Sequence, residues 1–193
     1  MNSFLLITNS EILIVDRNFT ILKQKNLNHE LSIIASINIE GNQLLLTEKN
    51  NLLILNLLTF EVKTMKFVKN ITAAIYVGTD IVVGDAAGKL HFIYPISGYI
   101  TSTKHWHSHR VTCLETDKSG DTLYSAGDEG VIVSWNLRNE KKSYLPRLQP
   151  IDSMSVSNDS QIISVSSSDN SIKFINLFNN SVLSQVFGLN AKT

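Results

Sequence analysis

Residues 127–136 read Gly127-Asp128-Glu129-Gly130-Val131-Ile132-Val133-Ser134-Trp135-Asn136, a tight polar turn that runs straight into an apolar triplet and closes on a polar residue. The same arrangement recurs on both sides of it. Ile14-Val15-Asp16, Ile54-Leu55-Asn56, Ile93-Tyr94-Pro95 and Phe174-Ile175-Asn176 fall in register with Val133 to Asn136. With Val15, Leu55, Tyr94, Trp135 and Ile175 as markers, the steps are 40, 39, 41 and 40 residues. Four to six residues before each marker stands a turn pair: Asn9-Ser10, Asn50-Asn51, Gly88-Lys89, Glu129-Gly130 and Asp169-Asn170. These residue types accept the positive φ of a tight hairpin.

Upstream of each turn lie an inner strand and a second strand: Ile71 to Tyr76 before Ile81 to Val83, Val111 to Leu114 before Leu123 to Ser125, and Ile151 to Val156 before Ile162 to Val165. Apolar runs are short and bounded by Asn, Asp, Gly and Ser, with no stripe at helical spacing, so the chain reads as all-β. Four strands per unit at a period near 40 is the pattern of β-propeller blades. The expected layout is a partial first blade over 1–30, blades over 31–70, 71–110 and 111–150, and a last blade with its tail over 151–193. The partial blade supplies three outer strands, around Phe4 to Thr8, Glu11 to Val15 and Phe19 to Lys23. Four complete blades and one partial one predict an open arc or part of a larger propeller. Unpaired strand edges invite association, so the chain expressed alone is expected to aggregate or self-associate.

Seventeen basic residues balance seventeen acidic ones, which gives no whole-chain pull toward nucleic acid or an anionic membrane. Cys113 is the single cysteine; an intramolecular disulfide and a multi-cysteine metal cluster are thereby excluded. Its neighbours Val111 and Leu114 predict a buried strand thiol. Met1 to Val15 lacks the basic and unbroken apolar regions of a signal peptide, and no segment reaches the roughly 18 apolar residues of a membrane helix.

The stretch from Trp106 to Leu137 resembles a WD repeat: Trp106-His107-Ser108-His109-Arg110-Val111, then Asp117 to Gly120, Leu123 to Gly127, Glu129-Gly130 and Trp135-Asn136-Leu137. The resemblance implies a hydrogen-bonded structural network of His107, Ser125, Glu129 and Trp135, with Asp169 in the acidic slot of the last blade. Serine, histidine and a carboxylate also fit a hydrolase triad. Ser125, however, sits mid-strand rather than on the exposed turn a nucleophile needs, so no catalytic residue is assigned. His105, His107 and His109 alternate and would share one side of a strand. No second ligand cluster accompanies them, so no metal or cofactor is implied.

Beyond this unit the chain continues Lys142-Ser143-Tyr144-Leu145-Pro146-Arg147-Leu148. Tyr144 and Leu145 fit an outer strand, Pro146 blocks further pairing, and Arg147 can point outward as a donor fork. The Trp-His start, the glutamate in the turn and the aromatic-Leu-Pro-Arg-Leu segment together are similar to the WD-repeat subunit of the UtpA subcomplex of the small-subunit processome, the WD repeat-containing protein 75 family. Such subunits resemble tandem propellers several times longer than this chain.

That resemblance implies a non-catalytic scaffold in ribosome biogenesis, nucleolar, with other UtpA subunits and processome proteins as partners and nascent pre-rRNA contacted directly or indirectly. Neither membrane nor small-molecule substrate is implied. The repeat pattern alone favours a general protein-binding adaptor outside ribosome assembly. Lys104, His105, Trp106, His107, His109 and Arg110 form the best cluster for RNA contact, with Lys141, Lys142 and Arg147 second. RNA sites combine cations with exposed aromatics, and Trp106 is expected to be packed between blades.

Overall fold

The computed structural model of the chain describes residues 3–8, 10–26, 32–38, 43–48, 51–66 and 70–188. Every regular element among them is a β-strand. Asn9, Leu31, Asn50 and residues 189–193, all invoked above, lie outside the described residues. The strands form one three-stranded and four four-stranded antiparallel sheets, as the repeat spacing predicts. They divide between two compact units, Met1–Ile71 and Thr72–Thr193.

In the first unit β1 (Phe4–Ile7), β2 (Glu11–Val15) and β3 (Ile21–Asn26) make the three-stranded sheet. The four-stranded sheet beside it in sequence runs β4 (Ser32–Asn38), β5 (Gln43–Glu48), β6 (Asn51–Asn56) and β7 (Val62–Lys66), in that order. Ile12, Leu44, Leu53 and Leu55 are its buried core, with Leu5, Ile7, Phe60 and Val62 packed against them. Burying such aliphatic side chains contributes about 1.5–3 kcal/mol each.

The second unit holds three blades. Blade three is β8 (Ile71–Val77), β9 (Asp80–Asp85), β10 (Lys89–Tyr94) and β11 (Tyr99–His105). Blade four is β12 (Val111–Thr116), β13 (Thr122–Gly127), β14 (Ile132–Asn136) and β15 (Lys142–Tyr144). Blade five is β16 (Ile151–Val156), β17 (Ile162–Ser167), β18 (Ser171–Asn176) and β19 (Ser181–Phe187). Alternation along blade four sorts its side chains to two neighbours, because successive residues of a strand face opposite ways. Leu123, Val133 and Trp135 pack with Ala73, Val82, Leu90 and Phe92 of blade three. Tyr124, Ala126 and Ile132 pack with Met154, Ile163, Val165 and Ile175 of blade five.

Backbone crossings fix the same succession. Gly88, at φ +80°, lies so close to the segment entering blade four that a Cβ would stand 2.1 Å from the His107 carbonyl oxygen. Gly130, at φ +76°, repeats this one blade on, with the Leu148 oxygen at 2.1 Å. Main-chain hydrogen bonds accompany both approaches: His107 N–H donates to Gly88 O at 3.3 Å and Leu148 N–H to Gly130 O at 2.8 Å. Glycine stands here because both the dihedral and the space exclude a side chain. In blade five, Asn170 takes the positive φ, 55°.

One marker needs correction. Leu55 pairs with Leu44, Trp135 with Leu123 and Ile175 with Ile163, whereas in blade three the residue paired with Ile81 is Ile93. Ile93 is fully buried and Tyr94 is 42% exposed. Tyr94 occupies instead the position of Asp16, Asn56, Asn136 and Asn176, whose side-chain oxygens accept backbone N–H groups of the following turn. Blade three lacks such an oxygen but keeps the positive φ four residues on, at Gly98 (+74°), as at Phe60, Glu140 and Asn180, and Gly98 N–H donates to Tyr94 O at 2.8 Å.

Candidate functional site

His107, buried in the loop between β11 and β12, places Nε2 2.8 Å from Ser125 Oγ on β13. Trp135 on β14 donates its Nε1–H to the same oxygen at 2.9 Å. The other imidazole nitrogen, Nδ1, meets Oε1 of Glu129 in the β13–β14 turn. One proton arrangement satisfies the whole chain of bonds: Nδ1–H donates to the carboxylate, and the Ser125 hydroxyl donates to Nε2 while accepting from the indole. Gly127 belongs to this arrangement, since a Cβ there would lie 2.4 Å from Glu129 Oε2. The four residues tie an entry loop, two strands and a turn of one blade together.

The constellation has the composition of a hydrolase triad but not its access. Ser125 is fully buried, and its oxygen is held by two partners at once. A nucleophile must reach a substrate carbonyl and release its proton to the histidine in the same geometry.

Asp169 engages different partners. Its carboxylate accepts from Ser171 Oγ at 2.5 Å and from Lys173 Nζ at 3.2 Å. The Ser171 hydrogen bond, helped by Lys173, holds that carboxyl below its ordinary value. Lys173 is itself buried in β18 and donates to Ser171 Oγ at 2.6 Å. Blade three has a counterpart: His91 in β10 contacts Asp85 at 2.9 Å through Nε2 and Thr103 Oγ1 at 3.1 Å through Nδ1. His91 faces Val83 and Lys173 faces Val165, the register position that in blade four joins Val133 to Ser125. Where the second strand carries valine instead of serine, the polar link to the turn starts from the third strand. Sequence reading missed His91 and Lys173, although their inward phase in the alternation Leu90-His91-Phe92 and Ile172-Lys173-Phe174 carries the signal.

The basic cluster is not brought to one place. Lys104 Nζ lies over the rings of Phe92 and Trp135 at 5.5 and 5.6 Å. His105 Nε2 bonds the Ala87 oxygen at 3.1 Å, and Arg110 pairs with Asp128 at 2.8 Å. His109 is exposed, bonds Ser108 Oγ at 2.9 Å, and approaches Glu129 at 3.9 Å. Of the three alternating histidines, His107 and His109 both face Glu129 while His105 bonds the Ala87 oxygen. Lys141 and Lys142 are exposed at the start of β15.

Trp106 is not packed between blades as expected; it is 45% exposed. Its ring stacks on Tyr144 with centroids 5.8 Å apart and planes 28° from parallel, and Lys142 Nζ sits 3.2 Å from its centroid. Tyr144, Leu145 and Arg147 line the same groove of about 400 Å³, with Ser108, Glu129 and Val131. Of the Tyr144 to Leu148 segment, Leu145 is buried in the core and the half-buried Leu148 packs against it.

Cys113 packs beside Met154, Ile163 and their neighbours, and burial pushes its thiol up to about 12 against a smaller opposing effect of the Thr112 hydroxyl. A raised thiol value favours the folded state below the unfolded-state value near 8.5, and that contribution is lost as pH climbs through the folded one. At pH 8 the thiol, half-buried rather than fully buried, is therefore protonated, and iodoacetamide should label Cys113 much more slowly in the folded protein than in the unfolded one. Rapid stoichiometric labelling of the folded protein would contradict this placement.

Antiparallel four-stranded sheets of about 40 residues, joined face to face and pinned by a Trp-Ser-His-Glu network, define a WD-type β-propeller. A family model described as the first β-propeller of WD repeat-containing protein 75 matches residues 24–170, and the chain belongs to that family. It is 32% identical over 117 residues to U3 small nucleolar RNA-associated protein 17 of Schizosaccharomyces pombe, covering 59% of this chain and 14% of that protein. It is 42% identical over 79 residues to WD repeat-containing protein 75 of Danio rerio, covering 40% and 10%. Against the protein of that name from Homo sapiens it is 36% identical over 100 residues, covering 49% and 12%. The chain thus spans no more than about a seventh of the length of these curated relatives.

Proposed function

We propose that this chain is part of a non-catalytic scaffold of ribosome biogenesis, supporting small-subunit processome assembly on nascent pre-rRNA in the nucleolus beside other UtpA subunits. The observation that carries this reading is the family match over 24–170, joined to relatives whose printed names include a U3 small nucleolar RNA-associated protein. The occlusion of Ser125 supports a role without catalysis.

Depleting the full-length protein should cause unprocessed ribosomal RNA precursor to accumulate, and a Ser125→Ala copy should restore processing. The variant removes an oxygen shared by Trp135 and His107, leaving two buried groups short of a partner, so its stability should fall by about 1–3 kcal/mol. Folded Ser125→Ala protein that fails to rescue would argue for chemistry at that hydroxyl. Normal precursor processing after depletion would argue instead for an adaptor acting outside ribosome assembly.

A further inference from the structure

The groove beside blade four carries features that the structural network does not use. Trp106 and Tyr144 are 45% and 43% exposed, and they lie in a stack rather than turned into the core. Stacked on each other, the two rings make one contiguous aromatic surface rather than two isolated exposed side chains. The charges around them are mainly positive: Lys142 rests on the indole, and Arg147 lines the groove with no ion pair among the described residues. The carboxylate in the groove, Glu129, is nearly buried and faces the imidazoles of His107 and His109. A ligand suited to this surface has flat π-faces and negative charge on a flexible backbone. Bases stack on Trp and Tyr whatever their sequence, while lysine and arginine neutralise phosphates. An acidic peptide would satisfy the cations and leave the ring faces in water.

We propose that Trp106 and Tyr144, flanked by Lys142 and Arg147, form a stacking platform for single-stranded RNA. The site keeps Trp106, Lys142 and Arg147 of the cluster read from the sequence, adds Tyr144, and leaves out Lys104 and His105, which are turned to other partners. It deepens the scaffold reading and rests on it only for the cellular source of the RNA.

The test uses the full-length protein and three probes: a mixed-sequence single-stranded RNA of about 12 nucleotides, its duplex, and an acidic peptide of matching charge. Single-stranded RNA should bind best, and ultraviolet cross-linking should leave nucleotides on the peptides holding Trp106 or Tyr144. Trp106→Ala should weaken binding roughly 5- to 150-fold, with Trp106→Phe recovering part of the loss. Lys142→Gln, at an exposed position, should lower the slope of log affinity against log salt by about 0.7. Unchanged RNA binding by folded Trp106→Ala and Lys142→Gln proteins would overturn the proposal, as would preference for the duplex or the acidic peptide. Co-purification of the Trp106→Ala protein with processome subunits separates the two readings. Retention of the subunits with loss of the cross-link leaves the scaffold and supports the platform, and absence of the subunits from wild-type preparations that still bind RNA counts against the scaffold alone.

Discussion

Gly130→Ala should destabilise the chain by about 2–5 kcal/mol, one of the largest losses available from adding a single methyl group. Two costs combine. The φ of +76° lies in the left-handed region, where a Cβ costs about 1–2 kcal/mol. The new Cβ would also stand 2.1 Å from Leu148 O and 2.8 Å from its carbonyl carbon. Both are backbone atoms, so relief requires the segment entering blade five to move away, stretching the 2.8 Å bond from Leu148 N–H to Gly130 O. Overpacking of this kind typically costs a further 1–3 kcal/mol. Gly120 is the internal control: its φ is +74°, but the nearest atom to an added Cβ is 3.9 Å away, so Gly120→Ala should lose only about 1–2 kcal/mol. Denaturant midpoints of the two variants measure the difference. Equal losses would mean that the close crossing contributes nothing.

Trp135→Ala should cost about 3–5 kcal/mol. The ring is 5% exposed, fills the contact between blades three and four with Val82, Leu90 and Phe92, and supplies the indole N–H that Ser125 accepts. Removing it opens a cavity between two sheets and exposes a buried hydroxyl network. Trp135→Phe keeps part of the volume and loses the donor, so it should fall between wild type and alanine. Hydrogen exchange should show protection lost on both β10 and β14 in the alanine variant, because the residue belongs to two blades. A loss confined to β14 would contradict the shared core.

Much of the fold was legible because hairpin chemistry and apolar alternation are local. Strand order and blade number follow from the recurrence of polar turns and apolar triplets. Tyr94 was misread because an aromatic residue in a near-40 step looks like Trp135, while the true constant is the distance from the positive-φ turn residue: Gly88, Gly130 and Asn170 each precede the buried position by five. His91 and Lys173 were overlooked because a polar residue amid strand apolars reads as a surface position unless its phase is followed through. The exposure of Trp106 had no local signal. It depends on where β15 of the next blade lays Tyr144 and Lys142, a contact spanning 38 residues of chain.

One measurement tests the proposed place of the chain in a ribosome-biogenesis scaffold most directly. Full-length protein purified by an affinity tag from growing cells, under conditions that preserve ribonucleoprotein particles, should bring down ribosomal RNA precursor together with UtpA subunits. Purification of an equally abundant protein with partners from another compartment and no precursor RNA would contradict it.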